Sequence, residues 1–253
     1  MLRGIYASAS GLNVQQNRLD AVAGNIANVN TVGYKKDAVA AGPFFERLIE
    51  RDDPAERPAG RLSGVGGMTL GAELEAVRPW LNPGPVVETR RNADLAIAGE
   101  GFFSVETGDG RVLYTRDGSF RRDRDGYLVT ARGDRVLGQN GPILIQEDGF
   151  KVTEDGRVVT AGGVVDKLAV YRFNAEELQK DGANCFAAPA GARPAAVQDP
   201  RILQGYLEMS NVDPVDEMVT MMEAHRLYQF NQRLLRAQDE LLGKAVNQLG
   251  TVK

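Results

Sequence analysis

The chain holds one histidine, His225, and one cysteine, Cys185, among 253 residues. Those two counts bound its chemistry before any fold is considered. A zinc centre built on two histidines, a Cys-based zinc cluster and an internal disulfide framework are all excluded. His225 sits in the helical run Met222-Glu223-Ala224-His225-Arg226 and reads as a solvated or interface residue. No Gly-x-Ser-x-Gly elbow is present to present a serine nucleophile. Cys185, in a loop rich in Ala, Gly and Pro and without a second histidine, lacks the base that would activate its thiol. Asp123-Arg124-Asp125-Gly126 resembles part of a calcium loop, but the positions that need acids are Arg121 and Arg132. It reads as a turn. Gly64-Val65-Gly66-Gly67 and Gly99-Glu100-Gly101 complete no phosphate or dinucleotide loop. Thirty Lys and Arg against thirty-four Asp and Glu leave a net charge of −4, which excludes a global basic field for nucleic acid. The arginines between Arg111 and Arg135 alternate with aspartates, as a salt-bridged β surface does. Carboxylates are plentiful, yet no spacing selects a pair for acid–base work. No catalytic residue, metal or cofactor is expected, and no apolar run approaches the roughly 20 residues that span a bilayer. The polar residues Asn13, Gln15, Gln16, Asn17 and Arg18 interrupt the N-terminal apolar run, so no cleaved secretory signal is expected.

The pattern at the two ends is of another kind. Ile5, Leu12, Leu19 and Ile26 recur every seven residues, with Ser8, Gln15 and Val22 three places after the first three of them. That spacing predicts an amphipathic helix over about 27 residues, ended by Asn28, Asn30 and Gly33. At the far end Asp213-Pro214 is a helix start, with Asp216 and Glu217 in the first turn beside the positive dipole end. Met221, Tyr228, Leu235, Leu242 and Leu249 then repeat every seven, Ala224, Asn231, Gln238 and Ala245 follow three later, and Leu227, Leu234 and Leu241 are expected to widen the stripe. Gln16, Asn231 and Gln238 stand where a core would prefer Leu. Polar residues there can fix register between helices, which favours packing between molecules.

The middle predicts β structure. Asp-Gly pairs at 109–110, 117–118, 125–126, 148–149 and 155–156 separate short β-prone runs such as Phe102–Val105, Val112–Thr115, Tyr127–Thr130 and Arg157–Thr160. Glycine and proline concentrate between 42 and 71, and the stretch 182–200 is rich in Ala, Gly and Pro, so both read as extended connectors. The expected fold is α+β: long N- and C-terminal helices paired as a coiled-coil-like stalk, with a central antiparallel all-β domain. Its parts are an N-terminal helix at 1–36, a linker at 37–90, a β domain at 91–180, a return linker at 181–209 and a C-terminal helix at 210–253.

Specific motifs then point to a family. Ala9-Ser10-Gly11-Leu12, Gln15-Gln16 and Leu19-Asp20 lead into Gly24-Asn25-Ile26-Ala27-Asn28-Val29-Asn30-Thr31-Val32-Gly33-Tyr34-Lys35-Lys36. The C-terminal counterpart is Gly205-Tyr206-Leu207-Glu208-Met209-Ser210-Asn211-Val212-Asp213, then Glu217-Met218-Val219, Tyr228-Gln229-Phe230-Asn231 and Asp239-Glu240-Leu241-Leu242. Between them stand Ala93-Asp94-Leu95-Ala96-Ile97, Gly101-Phe102-Phe103, Tyr114-Thr115-Arg116-Asp117-Gly118-Ser119-Phe120 and Gly126-Tyr127-Leu128-Val129-Thr130. The whole strongly resembles the bacterial flagellar axial proteins of the rod, hook and hook-associated families. Where the usual motif has Asn-Asn, this chain has Gly24-Asn25. Its length resembles a rod protein more than a hook protein, which carries further outer domains. The start Met1-Leu2-Arg3-Gly4-Ile5-Tyr6 and the end Leu242-Gly243-Lys244-Ala245-Val246 resemble the hook-basal-body version of the proximal rod type.

The resemblance implies a structural subunit of the basal-body rod, a drive shaft that transmits torque to the hook. Such subunits stack helically with copies of themselves and with other rod and hook proteins, and leave the cell unfolded through the flagellar type III export apparatus. It implies no enzyme, no cofactor, no nucleic acid and no membrane insertion, with the basal body in the cell-wall zone as location. The assembly seams would be Ile5, Leu12, Leu19, Val22, Ile26, Met221, Tyr228, Leu235, Leu242 and Leu249. The helix-end turn would be Asn25, Asn28, Asn30, Thr31, Gly33 and Tyr34, and the C-terminal motif Ser210, Asn211, Val212 and Asp213. A hook-type axial protein and a cell-wall polysaccharide-binding module are the competing readings.

Overall fold

The computed structural model describes residues 2–43, 46–50, 64–69, 71–146, 149–173, 178–182, 184–189 and 194–249. Two helices bracket the chain: α1, Leu2–Ala27, and α2, Pro214–Leu249. Between them lie short, mostly antiparallel strands. The fold is α+β. The chain divides into two compact units, one made of residues 1–24, 38–77 and 215–253, the other of 25–37 and 78–214.

In the helical unit the burial pattern follows the sevenfold stripe. Met221, Tyr228, Asn231, Leu235, Gln238, Leu242 and Ala245 are half-buried and Ala224 is fully buried. Ile5, Leu12, Leu19 and Ile26 of α1 are half-buried as well, and Val22 is buried. The side chain of Leu249 lies outside the described residues. A Cβ added to Gly4 would meet the Gln238 amide at 2.6 Å, and one added to Gly11 would meet Asn231 at 3.0 Å. The two helices therefore approach antiparallel, with the stripe's polar residues seated on glycines of the same chain. That corrects the expectation that Asn231 and Gln238 point to a partner molecule. Gln16 is corrected too: it is exposed and bonds Asp20 one turn along its own helix, 3.1 Å away. Leu227, Leu234 and Leu241 do not widen the buried stripe; all three are exposed. Strands Asp37–Pro43 and Ala72–Pro79 pair beside the helices, and Ser10 Oγ accepts the Ala72 amide at 3.2 Å.

The β unit has a conventional core. Its largest sheet runs, in spatial order, Gln179–Lys180, Cys185–Ala187, Val112–Thr115, Phe102–Glu106, Arg135–Val136, Leu128–Val129 and Arg121–Arg122. A three-stranded sheet holds Phe150–Val152, Arg157–Thr160 and Gly163–Lys167. Leu95, Phe103, Val105, Leu128, Val136, Ile145 and Val158 are all but inaccessible to water, and Phe103 and Phe120 pack edge to face at 5.2 Å. Each such side chain contributes roughly 1.5–3 kcal/mol on burial. A second aromatic cluster joins Phe102, Tyr114, Phe173, Leu178 and Phe186. The Asp-Gly pairs at 109–110, 125–126 and 155–156 form the expected turns, each glycine at positive φ. The pair at 117–118 does something else: Gly118 lies so close to the Leu95 carbonyl that a Cβ would overlap it. Asp148 lies outside the described residues.

The stretches read as linkers carry strands. Besides those at 37–43 and 72–79, Val86–Glu88 pairs with Tyr206–Glu208, and Leu95–Ile97 with Ile202–Gln204. The returning chain is thus hydrogen-bonded to the outgoing one.

Candidate functional site

The helix-end turn and the C-terminal motif meet within the β unit, and a small set of polar side chains holds them there. Asn25 is buried at the end of α1. Its Nδ2 donates to the Asp37 carbonyl at 3.0 Å, while its Oδ1 accepts the Asp37 amide at 2.8 Å and the Tyr34 hydroxyl at 3.2 Å. One amide side chain thereby closes a loop of twelve residues. Inside the loop, Thr31 Oγ1 donates to Asn28 Oδ1 at 3.1 Å, and Gly33 turns at φ +65°. Only glycine fits there, for a Cβ would also lie 2.5 Å from the backbone of Arg116 and Asp117.

The C-terminal motif completes the junction. Asn211 Oδ1 accepts the Lys36 amide at 2.8 Å, and its Nδ2 donates to the carbonyls of Trp80 and Asn82 at 2.8 and 2.9 Å. Ser210 and Val212 are buried behind it, with the Val212 amide donating to Ser210 Oγ at 3.3 Å. Asn30 and Asp213 are exposed, so of the ten motif residues these two add no burial to the junction.

Charge supplies the lock. Glu208 Oε1 stands 2.6 Å from Lys35 Nζ, and its Oε2 stands 2.5 Å from Arg116 Nε, all three side chains being almost wholly buried. Glu208 Oε1 also accepts the Gly84 amide at 2.9 Å, and Lys35 donates to the Asn82 carbonyl at 2.8 Å. Arg116 spends its remaining donors on the carbonyls of Ile97, Gly99 and Gly101. One anion thus balances two cations, and carbonyl dipoles take up the excess. Burial pulls Lys35 below its ordinary value, with Glu208 working against that and Arg116 adding to it. The three residues were visible within the family motifs but had no role assigned. A charged residue set inside an apolar motif, as in Tyr34-Lys35 and Leu207-Glu208, is the signal that could have found them.

Outside the junction the candidate chemistry stays apart. His225 is exposed on α2. Cys185 is buried in a strand, where burial pushes its thiol up. Asp123 and Gly126 close a turn through a 3.0 Å backbone bond. Among the described residues no three His, Cys, Asp or Glu side chains group as metal ligands. No described helix is long and apolar enough to cross a membrane. The junction offers no nucleophile paired with a base. It is built to hold three chain segments in register.

Comparison with known proteins agrees segment by segment. Residues 5–35 match the family profile "Flagella basal body rod protein", 96–160 match "Flagellar hook protein FlgE/F/G D1 domain", and 203–249 match "Flagellar basal body rod FlgEFG protein C-terminal". The flagellar basal-body rod protein FlgG of Bacillus subtilis is 35% identical over 98% of this chain and 99% of its own. FlgG of Borreliella burgdorferi is 33% identical over 98% of each, and the rod protein FlgF of Caulobacter vibrioides 32% identical over 100% of each. With both ends, the β unit and the full length aligned, the chain belongs to the flagellar basal-body rod protein family.

Proposed function

We propose that this chain is a structural subunit of the flagellar basal-body rod that stacks helically with copies of itself and contacts other axial proteins. Its place is the basal body. The helical ends, 1–36 and 210–253, form the inner wall as a coiled-coil-like pair, and residues 91–180 form the β domain. The drive shaft so formed carries torque from motor to hook. The chain has no catalytic role, and it leaves the cell through the flagellar export apparatus.

One observation carries the assembly. Outside its half-buried stripe, α2 exposes Val215, Met218, Val219, Met222, Phe230, Leu234 and Leu241. That many apolar side chains left exposed along a helix already packed on one side call for a further partner. In this reading Ile5, Leu12, Leu19, Val22, Ile26, Met221, Tyr228, Leu235, Leu242 and Leu249 form seams that reach full burial only in the stack. Asn25, Asn28, Asn30, Thr31, Gly33 and Tyr34, with Ser210, Asn211, Val212 and Asp213, set the bend out of the wall. The relatives support rod over hook, since they are named as rod proteins.

Electron imaging of the full chain at high concentration tests this, and helical tubes are expected. Amide exchange on the dilute monomer should find residues 1–30 and 215–253 poorly protected beside the β core. Full protection of both helices in the monomer, with no tubes, would sink the proposal.

A further inference from the structure

Trp80 is the only tryptophan of the chain, and its side chain is 49% exposed. It is not a frayed residue. Its amide donates to the Lys36 carbonyl at 2.8 Å, and its carbonyl accepts from Asn211 at 2.8 Å, so the backbone is fixed on both sides while the indole is left in water. Beside it opens a groove of about 370 Å³, floored by buried Phe102 and Phe173. Each charged group on its lining already has a partner. Arg172 pairs with Glu100 at 3.1 Å across the rim, and Lys35 and Arg116 are held by Glu208 and by backbone carbonyls. A charged ligand would find no counter-charge free of a partner there, so the groove suits a neutral occupant with apolar side chains to set against the Phe102–Phe173 floor.

The same unit presents such an object. The hairpin joining Arg157–Thr160 to Gly163–Lys167 has a tip, Ala161 to Val165, with no charged or large polar residue. Val164 is 61% exposed and Val165 39%. A Cβ added to Gly163 would meet nothing within 4 Å, so the tip projects clear of its surroundings. Gly163–Lys167 is also the edge strand of its sheet, where an unguarded apolar pair is a site for association. Neighbouring strand residues point to opposite faces, so one valine can enter a groove while the other covers its rim.

We propose that the Trp80 groove of one subunit seats the Val164–Val165 hairpin tip of a second copy. This rests on the self-stacking reading above and gives it one specific contact. Groove and tip are different patches, so the contact is heterologous. A heterologous contact that does not close on itself generates a helical filament. Trp80 then serves as a buried aromatic anchor, the residue type that most often dominates an interface.

The single tryptophan makes the test direct. The full chain is titrated from dilute to concentrated solution, with sedimentation reporting association and tryptophan emission reporting the groove. Emission is expected to shift to the blue in step with association. Trp80→Ala and Val164→Asp should each weaken association by about 30-fold or more, with the monomer's melting temperature nearly unchanged. An equimolar mixture of the two variants keeps one intact groove and one intact tip. It should form pairs that do not extend, with the emission of the Val164→Asp chain shifted. Association with unchanged emission, a variant that associates like the wild type, or a mixture that does not pair would overturn this contact while leaving helical stacking in place. A blue shift of the dilute monomer caused by an N-acetylglucosamine oligomer, with none on association, would assign the groove to sugar and overturn it likewise. No association of the wild-type chain at any concentration would overturn the stacking reading and this contact with it.

Discussion

The β unit and the helical unit bury their side chains in opposite ways. In the β unit Leu95, Phe103, Leu128 and Ile145 are sealed, and even its buried charges at Lys35, Arg116 and Glu208 are partnered. In the helical unit most residues of the stripe are half-buried, and large apolar side chains stand exposed along α2. The first arrangement is stable by its own contacts. The second leaves apolar area exposed that a further surface can cover, and a long helix in water gains most of its stability from such packing. A subunit made this way has a rigid body and ends that respond to their neighbours.

The sharpest break in that contrast is Glu208→Gln. It removes the anion that bridges Lys35 and Arg116 and leaves two buried cations facing a neutral amide. Losing one partner of a buried ion pair costs about 3–5 kcal/mol. Chemical denaturation of the full chain should show that loss in the β unit, whereas Glu223→Gln on exposed α2 should stay within about 0.5 kcal/mol. Equal effects at the two sites would erase the distinction. Leucine truncation makes the same comparison in apolar terms. Leu128→Ala, at a fully buried site, is expected to cost about 2–5 kcal/mol. Leu235→Ala, half-buried on α2, should cost about 1 kcal/mol or less in the dilute monomer and far more in assembled tubes.

How much of this the sequence disclosed follows the same division. The helices were legible because a period of seven recurs locally, and α1 and α2 end within a residue or two of where Asn28 and Asp213-Pro214 put them. Three hairpins were legible because Asp-Gly demands a particular turn. Gly118 was misread as a fourth because the same dipeptide can serve close approach, here to the Leu95 carbonyl. The strands at 86–88 and 202–208 were hidden in the apparent connectors. A three-residue strand has no period to detect, and its partner lies more than a hundred residues away. The charge lock was hidden for the same reason, since Glu208 is 92 residues from Arg116 and 173 from Lys35. Asn28 and Asn30 were recognised as helix-end residues, and Asn25 and Asn211 only as members of the family motifs. Asn25 and Asn211 instead act through their side-chain amides, which spacing alone does not distinguish.

A smaller effect separates backbone constraint from charge at the junction. Gly33→Ala forces a Cβ onto a residue at φ +65° and against the Arg116–Asp117 backbone. Strain of about 1–2 kcal/mol from the left-handed conformation adds to some overpacking, so a loss of about 2–3 kcal/mol is expected. Gly243→Ala is the control in the helical unit, where an added Cβ meets nothing within 4 Å. Relief of glycine's conformational cost in a helix should make that change stabilising by roughly 0.5–1 kcal/mol. Opposite signs from one substitution, read by thermal melting, would sharpen the contrast. Equal signs would remove it.

The smallest effect is the one tied most closely to the lock. Burial lowers Lys35 in the folded protein below 10.5, against the pull of Glu208 and with a push from Arg116. As pH rises into the window beneath 10.5, the folded state releases the Lys35 proton before the unfolded chain does. The unfolded state then binds more protons, so on this account stability increases with pH. Cys185 and Tyr114 act oppositely. Burial raises both above their ordinary 9.0 and 10.0, the unfolded chain ionises first, and stability falls above those values. Lys35→Met keeps both of these groups, so subtracting its stability from that of the wild type across pH 7 to 10 cancels them. The difference should move in favour of the wild type as pH rises. A flat difference would mean that Glu208 holds Lys35 charged in full, and that the junction is balanced by the ion pair rather than strained by an excess cation.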